Sequence, residues 1–250
     1  MDYSLSIILP CYKGESFIEN SIKEVEEEVS LFEKDFELIV VIDGFVDDGY
    51  KKGKALGQKY KNLKVIGYER NKGKGYAIQY GFRHSEGEYI VFLDSDLDYH
   101  PKALDWFLKI IREEDADLVI GNRKDKNSIF HYPFLRKIAS WGFNFYVSSI
   151  FSELNVDDCQ AGIKMTKREA AQKIFKYLEN QKGAETFIFD IYLLLAARKY
   201  GLKVTQAPCI FEMKASTIGV GKKFLKSALK MGIDVWRLKQ DIKKSDNEIF

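Results

Sequence analysis

An α/β fold, with a mainly parallel sheet covered by helices on both faces, is what this sequence predicts. Three observations carry that reading: short continuous apolar runs, amphipathic stripes between them, and polar residues where several runs end. Strands buried on both faces read as unbroken apolar stretches, and alternation with helical patterns points to parallel crossovers. Leu5–Leu9 is the first such run, closed by Pro10, which cannot donate to a central ladder. Ile18, Ile22, Val25, Val29 and Phe32 then recur at helical spacing, with Glu and Lys on the other face. Leu38–Ile42 is the second run, followed by the polar turn Asp43-Gly44. Leu63–Tyr68, Tyr89–Leu93 and Leu118–Ile120 are further strands, with helices expected near Ala55–Tyr60, Tyr76–Phe82 and Leu104–Ile111.

The second half is less regular. Arg136–Phe151 is rich in aromatics, with Ile138, Trp141 and Phe145 at helical spacing. Phe187, Ile191 and Leu194 mark another helix, and Lys203–Ala207 a late strand before Pro208. From Lys222 to Lys244 an apolar stripe (Phe224, Ala228, Met231, Val235, Leu238, Ile242) faces away from Lys223, Lys226, Lys230, Arg237 and Lys244. The chain shows no internal repeat or Pro/Gly-rich linker, so one domain with a basic helical tail is the simplest partition.

Composition narrows the function classes. Lys+Arg 39 against Asp+Glu 37 leaves a net charge of +2, which gives no electrostatic footprint for nucleic acid. Cys11, Cys159 and Cys209 are far apart, and His84, His100 and His131 have no ligand spacing, so neither a zinc site nor a disulfide framework is expected. No apolar run is long enough to cross a bilayer, and the start of the chain does not read as a signal peptide.

Ligands of such sheets bind beyond the carboxyl ends of the strands. Asp94-Ser95-Asp96 stands there, directly after Tyr89–Leu93. Two carboxylates one residue apart at a strand end can converge on a hard cation such as Mg²⁺ or Mn²⁺, which bridges carboxylates to substrate phosphates. The spacing alone equally describes a solvated turn; the position after a buried strand is what favours a site. Gly73-Lys74-Gly75 reads either as a phosphate cradle or as a glycine turn before a helix, and it lacks the spacing of an NTPase loop.

Seven segments together resemble family 2 glycosyltransferases, in particular the polyprenyl-phosphate (dolichyl-phosphate) hexose synthases. They are Ile7–Glu15 (IILPCYKGE), Ile39–Asp48 (IVVIDGFVDD), Asn71–Gly81 (NKGKGYAIQYG), Gly87–Pro101 (GEYIVFLDSDLDYHP), Val119–Arg123 (VIGNR), Asp158–Lys164 (DCQAGIK) and Phe189–Leu194 (FDIYLL). The resemblance implies a GT-A fold, Rossmann-like, over 1–220, with a nucleotide-sugar half to about 125, an acceptor half over 126–220, and an amphipathic tail at 221–250. It implies that Pro10, Tyr12 and Glu15 border the nucleoside and that Asp43 meets base or ribose. Asp94, Ser95 and Asp96 would meet the diphosphate and its Mg²⁺ or Mn²⁺, Asp96 being the direct ligand, with Lys74 also on the donor. Arg123 would pair with phosphate, and Asp158 would hold the position of a general base or, as its residue type also allows, cap a turn. Arg136, Gln160 and Lys164 would lie near the acceptor phosphate.

The activity so implied is inverting transfer of one hexose from a nucleotide diphosphate sugar, UDP-glucose ahead of GDP-mannose, to a polyprenyl phosphate. A peripheral enzyme at the cytoplasmic face of a membrane is expected, with a membrane-embedded partner protein allowed and no nucleic-acid partner. Other acceptors (a glycan, a glycolipid, a protein) and a non-catalytic nucleotide-binding scaffold are the rival readings. Departures from the family pattern at Lys13-Gly14, Ile42, Asp98 and Tyr192 bear on donor base and sugar rather than on reaction class. An acceptor phosphate, with its second pKa near ~6, is already ionised at neutral pH, so positioning by cations outweighs deprotonation.

Overall fold

The computed structural model describes residues 3–131, 142–213 apart from 144, 155, 182 and 187, and 231–240. Its sheet has seven strands: β1 (Tyr3–Cys11), β2 (Phe36–Asp43), β3 (Leu63–Tyr68), β4 (Gly87–Leu93), β5 (Leu118–Asn122), β7 (Ile163–Lys167) and β8 (Val204–Pro208). They lie in the order β3-β2-β1-β4-β7-β5-β8. All pairings are parallel except those of β7, which runs antiparallel to both β4 and β5. A small parallel pair, β6 (Ile129–His131) with β9 (Ile210–Glu212), lies apart from the main sheet.

Six helices are α1 (Ile18–Val29), α2 (Gly49–Leu56), α3 (Lys74–Arg83), α4 (Ala103–Glu113), α5 (Arg168–Leu178) and α6 (Phe189–Lys199). Residues 145–150 and 231–240 are helical as well. Alternation along the strands divides the core into two layers. Ile7 and Leu9 of β1, with Leu38, Val40 and Ile42 of β2, pack under α1 and α4 (Ile18, Ile22, Val25, Phe107, Ile111). Ile8, Ile39 and Val41 face the other way, against α3, α5 and α6 (Ile78, Ile174, Phe189, Leu193). Each such side chain, fully removed from water, contributes about 1.5–3 kcal/mol, which explains why the apolar runs of the first half fold as strands.

Two expected elements differ. The helix expected near Ala55–Tyr60 sits earlier, at Gly49–Leu56, because the Asp47 carboxylate receives the Gly49 N–H (3.0 Å) at its start. Residues 57–60 instead close a turn through Lys59 and Tyr60 N–H groups on the Leu56 carbonyl. No strand was expected at the antiparallel β7, whose second residue, Lys164, is buried.

At the end of the sheet away from the strand carboxyl termini, buried Glu37 gathers two hydrogen bonds and an ion pair. Ser6 Oγ (2.6 Å) and the Glu86 N–H (2.5 Å) donate to its Oε1, and Lys64 lies 2.8 Å from its Oε2. Glu37→Gln is expected to lower unfolding free energy in urea by about 1–3 kcal/mol, the cost of weakening a buried charge-assisted cluster. Nucleotide binding at the opposite edge should stay unchanged in the same protein.

Candidate active site

Because β1, β2 and β4 are parallel, Pro10, Asp43 and Asp94 emerge along one edge of the sheet. The acidic loop is latched there: Ser95 Oγ donates to the Pro10 carbonyl (2.8 Å), and Ser21 Oγ of α1 donates to the Ser95 carbonyl (2.6 Å). Ser95 thus orders the loop through its hydroxyl. The Cys11 thiol beneath is buried and pushed up to about 12, mainly by burial, so it packs as a small apolar residue. Tyr12 is exposed at the rim, with Lys13 Nζ 5.3 Å from its ring. Glu15 donates its N–H to Asp47 Oδ2 (3.1 Å), and its carboxylate lies 3.6 Å from Lys52.

Asp43 differs from what the sequence suggested for it. Its carboxylate is buried and accepts the Lys72 N–H (2.7 Å), the Gly73 N–H (3.0 Å) and Asn71 Nδ2 (2.7 Å). Both oxygens are therefore engaged in shaping the following loop rather than open toward a base or ribose. That loop is tight: Gly73 has φ +99°, and a Cβ there would fall 2.5 Å from the Glu185 carbonyl oxygen. Its geometry delivers Lys74, at the start of α3, to Asp94 (Nζ–Oδ1 2.7 Å) and to Asp190 (3.7 Å). Burial pulls the Lys74 ammonium down, but Asp190 and Asp94 outweigh it and hold its pKa above the ordinary value.

Asp190 went unassigned in the sequence, although a lone carboxylate inside the apolar run Phe189–Leu194 was a visible signal. It is buried on α6 and joins Lys74 to Lys164, whose Nζ lies 2.7 Å away. Lys164 also donates to the Ala161 carbonyl. The expectation that Lys164 meets an acceptor phosphate is corrected here: the ammonium is fully buried and committed to Asp190.

Across the site, Arg123 at the end of β5 grips Asp158 with two parallel bonds, Nε to Oδ2 (2.6 Å) and Nη2 to Oδ1 (2.8 Å). Burial alone would raise the Asp158 carboxyl, yet hydrogen bonding to Arg123 and its charge bring it below the usual carboxylate range. A carboxylate held this way is a weak proton acceptor, so the base role expected of Asp158 does not suit its surroundings. Gln160 follows in the same turn, its N–H 3.4 Å from Asp158 Oδ1. Arg136 and Trp141 lie outside the described residues.

Asp96 is the carboxylate that suits a cation. Burial, then the charges of Asp94 and Asp98, push it up to about 6, the mark of uncompensated negative charge. Asp94 already spends one oxygen on Lys74, and the other lies over Gly162, where a Cβ would fall 2.0 Å from Oδ2. The charges acting on Asp96 are those of the Asp94 and Asp98 carboxylates, against the single cation Lys74. A diphosphate would enter this field unfavourably unless a divalent cation came with it. The described residues hold no cluster of three protein ligands, which matches Mg²⁺ or Mn²⁺ taking its remaining ligands from phosphate and water.

Strand ends bearing paired carboxylates opposite an arginine clamp, on this mixed sheet, define a glycosyltransferase of the GT-A type. Residues 6–175 match the profile of "Glycosyl transferase family 2", and the chain belongs to that family. It is similar to a dolichyl-phosphate beta-glucosyltransferase of Dictyostelium discoideum, 25% identical over 258 residues, covering 94% of this chain and 77% of that protein. A dolichyl-phosphate beta-glucosyltransferase of Trichomonas vaginalis is 27% identical over 248 residues, covering 94% of this chain and 72% of that protein. Among solved structures it resembles glucosyl-3-phosphoglycerate synthase from Mycobacterium tuberculosis in complex with Mn²⁺, UDP and glucosyl-3-phosphoglycerate. The TM-score is 0.69 at 21% identity, over 95% of this chain and 80% of that one.

Proposed function

We propose that this glycosyltransferase moves one hexosyl unit, glucose from UDP-glucose in the favoured case, onto a polyprenyl or dolichyl phosphate with inversion at the anomeric carbon. The observation that carries the reading is the gathering of two charged groups on one edge of the sheet: Asp94 and Asp96 after β4, with Lys74 paired to Asp94, and Arg123 after β5, paired to Asp158. Support comes from the relatives, described as dolichyl-phosphate beta-glucosyltransferases, and from structural neighbours captured with Mn²⁺ and UDP-glucose.

In this reading Asp96, with Asp94 beside it, would hold a Mg²⁺ or Mn²⁺, which when bound offsets the charge growing on the departing nucleoside diphosphate. Lys74, held charged by Asp190 and Asp94, places a second cation against the same leaving group. Arg123, held in place through Nε and Nη2 by Asp158, is the cation on the acceptor side and would meet the acceptor phosphate with its outer edge. An acceptor phosphate oxygen attacks the anomeric carbon as the bond to the diphosphate breaks, and no side chain has to take a proton. Asp158 then orients Arg123. Pro10, Tyr12 and Glu15 border the nucleoside, and Gln160 lies toward the acceptor.

A membrane surface is the expected route of the acceptor. In the helical segment 231–240, Val235 and Leu238 pack into the core and Gly232 accepts a hydrogen bond from Tyr146 (3.0 Å), while Ile233 and Trp236 are exposed, as is Phe145. No described helix is long and apolar enough to cross a membrane, so contact would be interfacial. A second reading, transfer to a small phosphorylated acceptor, is favoured by the neighbours' complexes with phosphoglyceric acid.

The test is a donor screen (UDP-glucose, GDP-mannose) with Mn²⁺ and either a short polyprenyl phosphate or 3-phosphoglycerate, reading nucleoside diphosphate release and a chloroform-soluble, acid-labile product. Label found only in water-soluble product would exclude the prenyl acceptor. A pH series adds a check. Asp96 must lose its proton to bind a cation, so Mn²⁺-dependent UDP affinity should rise about tenfold per unit up to pH about 6 and then level off. For the ligand-free fold the sign is opposite: the folded state holds this proton more tightly than the unfolded one, so its contribution to stability falls as pH rises from about 4 to about 6.

A further inference from the structure

Among the described residues, the hydroxyls of Tyr68, beside Asp43, and of Tyr99, beside the acidic loop, are buried without a hydrogen-bond partner, and the second lies between the two halves of the site. Tyr99 follows the acidic loop, is 4% exposed, and its hydroxyl makes no hydrogen bond. The backbone around it is fixed: Tyr99 bridges to Phe211, the His100 N–H donates to the Ile210 carbonyl (2.9 Å), and the Glu212 N–H donates to the Asp98 carbonyl (2.9 Å). The ring packs edge-on against Phe211 at 4.9 Å. Its other edge borders Gly162, where a Cβ would fall 3.1 Å from Tyr99 Cε2 and 2.0 Å from Asp94 Oδ2, so ring and carboxylate share the space above one glycine. The ionised side chains acting on the phenol are Arg123 and Asp158 from the acceptor side and Asp94 from the donor side.

Packing does not explain the hydroxyl. A phenylalanine would keep both the Phe211 contact and the Gly162 contact, and would spare the fold a buried O–H that no protein group answers. Buried tyrosine hydroxyls ordinarily find a partner, so the missing one belongs to something that enters the site. Between a leaving diphosphate and an attacking phosphate lies the sugar being transferred, a group studded with hydroxyls.

The geometry points to the Tyr99 hydroxyl as a specificity-determining contact to the hexosyl unit of the donor, hydrogen-bonded to a sugar hydroxyl in the substrate complex. This rests on the nucleotide-sugar reading above and adds to it a residue that touches neither the nucleotide nor the acceptor.

The test compares wild type and Tyr99→Phe by calorimetric titration with UDP-glucose against UDP, and GDP-mannose against GDP, all with Mn²⁺, and reads the pair that wild type binds. The expected result is nucleotide affinity equal within twofold, nucleotide-sugar affinity about 3–10-fold weaker in Tyr99→Phe, and a ligand-free unfolding midpoint equal to or above that of wild type. If sugar and nucleotide affinities change together, or neither changes, the contact to sugar is wrong. A lower midpoint with unchanged affinities would mean that an ordered water satisfies the hydroxyl and that its role is structural. If wild type binds neither UDP-glucose nor GDP-mannose with Mn²⁺, the donor reading itself fails, and the assignment of Tyr99 with it.

Discussion

Asp96→Asn should cut hexosyl transfer by about 10²–10³-fold, the scale of losing one preorganised electrostatic stabiliser at a developing charge. The charge surplus of the site makes a sharper demand on the same variant. With Asp96 neutral, the loop carries one negative charge fewer beside Asp94 and Asp98. UDP should then bind less tightly than to wild type in Mn²⁺ and slightly more tightly in EDTA. Calorimetry under both conditions checks this crossing; a uniform loss in both would mean that Asp96 acts on the fold and not on the field. Circular dichroism should match wild type, since Ser95 and Ser21 still hold the loop and the asparagine Oδ1 can still accept the Asp98 N–H that Asp96 Oδ1 accepts (3.2 Å).

Lys164→Met should be the most destabilising single change in the site, by about 3–5 kcal/mol, because it leaves Asp190 buried against Lys74 alone. It also strips the Ala161 carbonyl of a donor. In a chain of this size each kcal/mol lowers the thermal midpoint by about 2–4 °C. Adding Asp190→Leu to Lys164→Met removes the stranded charge and should restore a large part of that stability. The double variant should still bind nucleotide poorly, as Lys74 then answers only to Asp94. Urea unfolding of the two variants, read beside UDP affinity, separates the structural role of the pair from its hold on Lys74.

The contrast between these two residues shows what could be read from sequence. Asp96 was legible because its neighbours in sequence are also its neighbours in function: an apolar strand, a stop, two carboxylates. The strands β1 to β5 were legible for the same reason, each being a local apolar run with a polar end. Lys164 was misread because its meaning depends on Asp190, 26 residues away on a helix. Without that partner the lysine was assigned to an acceptor phosphate, and the strand itself went unseen. Arg123 and Asp158 were each singled out, but their mutual grip, 35 residues apart, changes both: the arginine becomes rigid and the aspartate loses its aptitude as a base. Tyr99 carried no signal, since an aromatic beside a loop is ordinarily core; only the missing partner of its hydroxyl sets it apart.

The reversed strand β7 also shapes what the scaffold can become. In a wholly parallel sheet only the segments after strands reach the reactive edge. Here Ile163, the first residue of β7, lies beside Leu93, the last of β4, so the chain before a strand, Asp158–Gly162, arrives at that edge from the opposite direction. On the proposed reading, leaving-group residues and acceptor-side residues thus hang from ladders of opposite sense. Lengthening or rewriting the approach to β7 would retarget the enzyme toward a new recipient while leaving the carboxylate loop and its lysine undisturbed. The same framework can in this way be retuned on one side at a time.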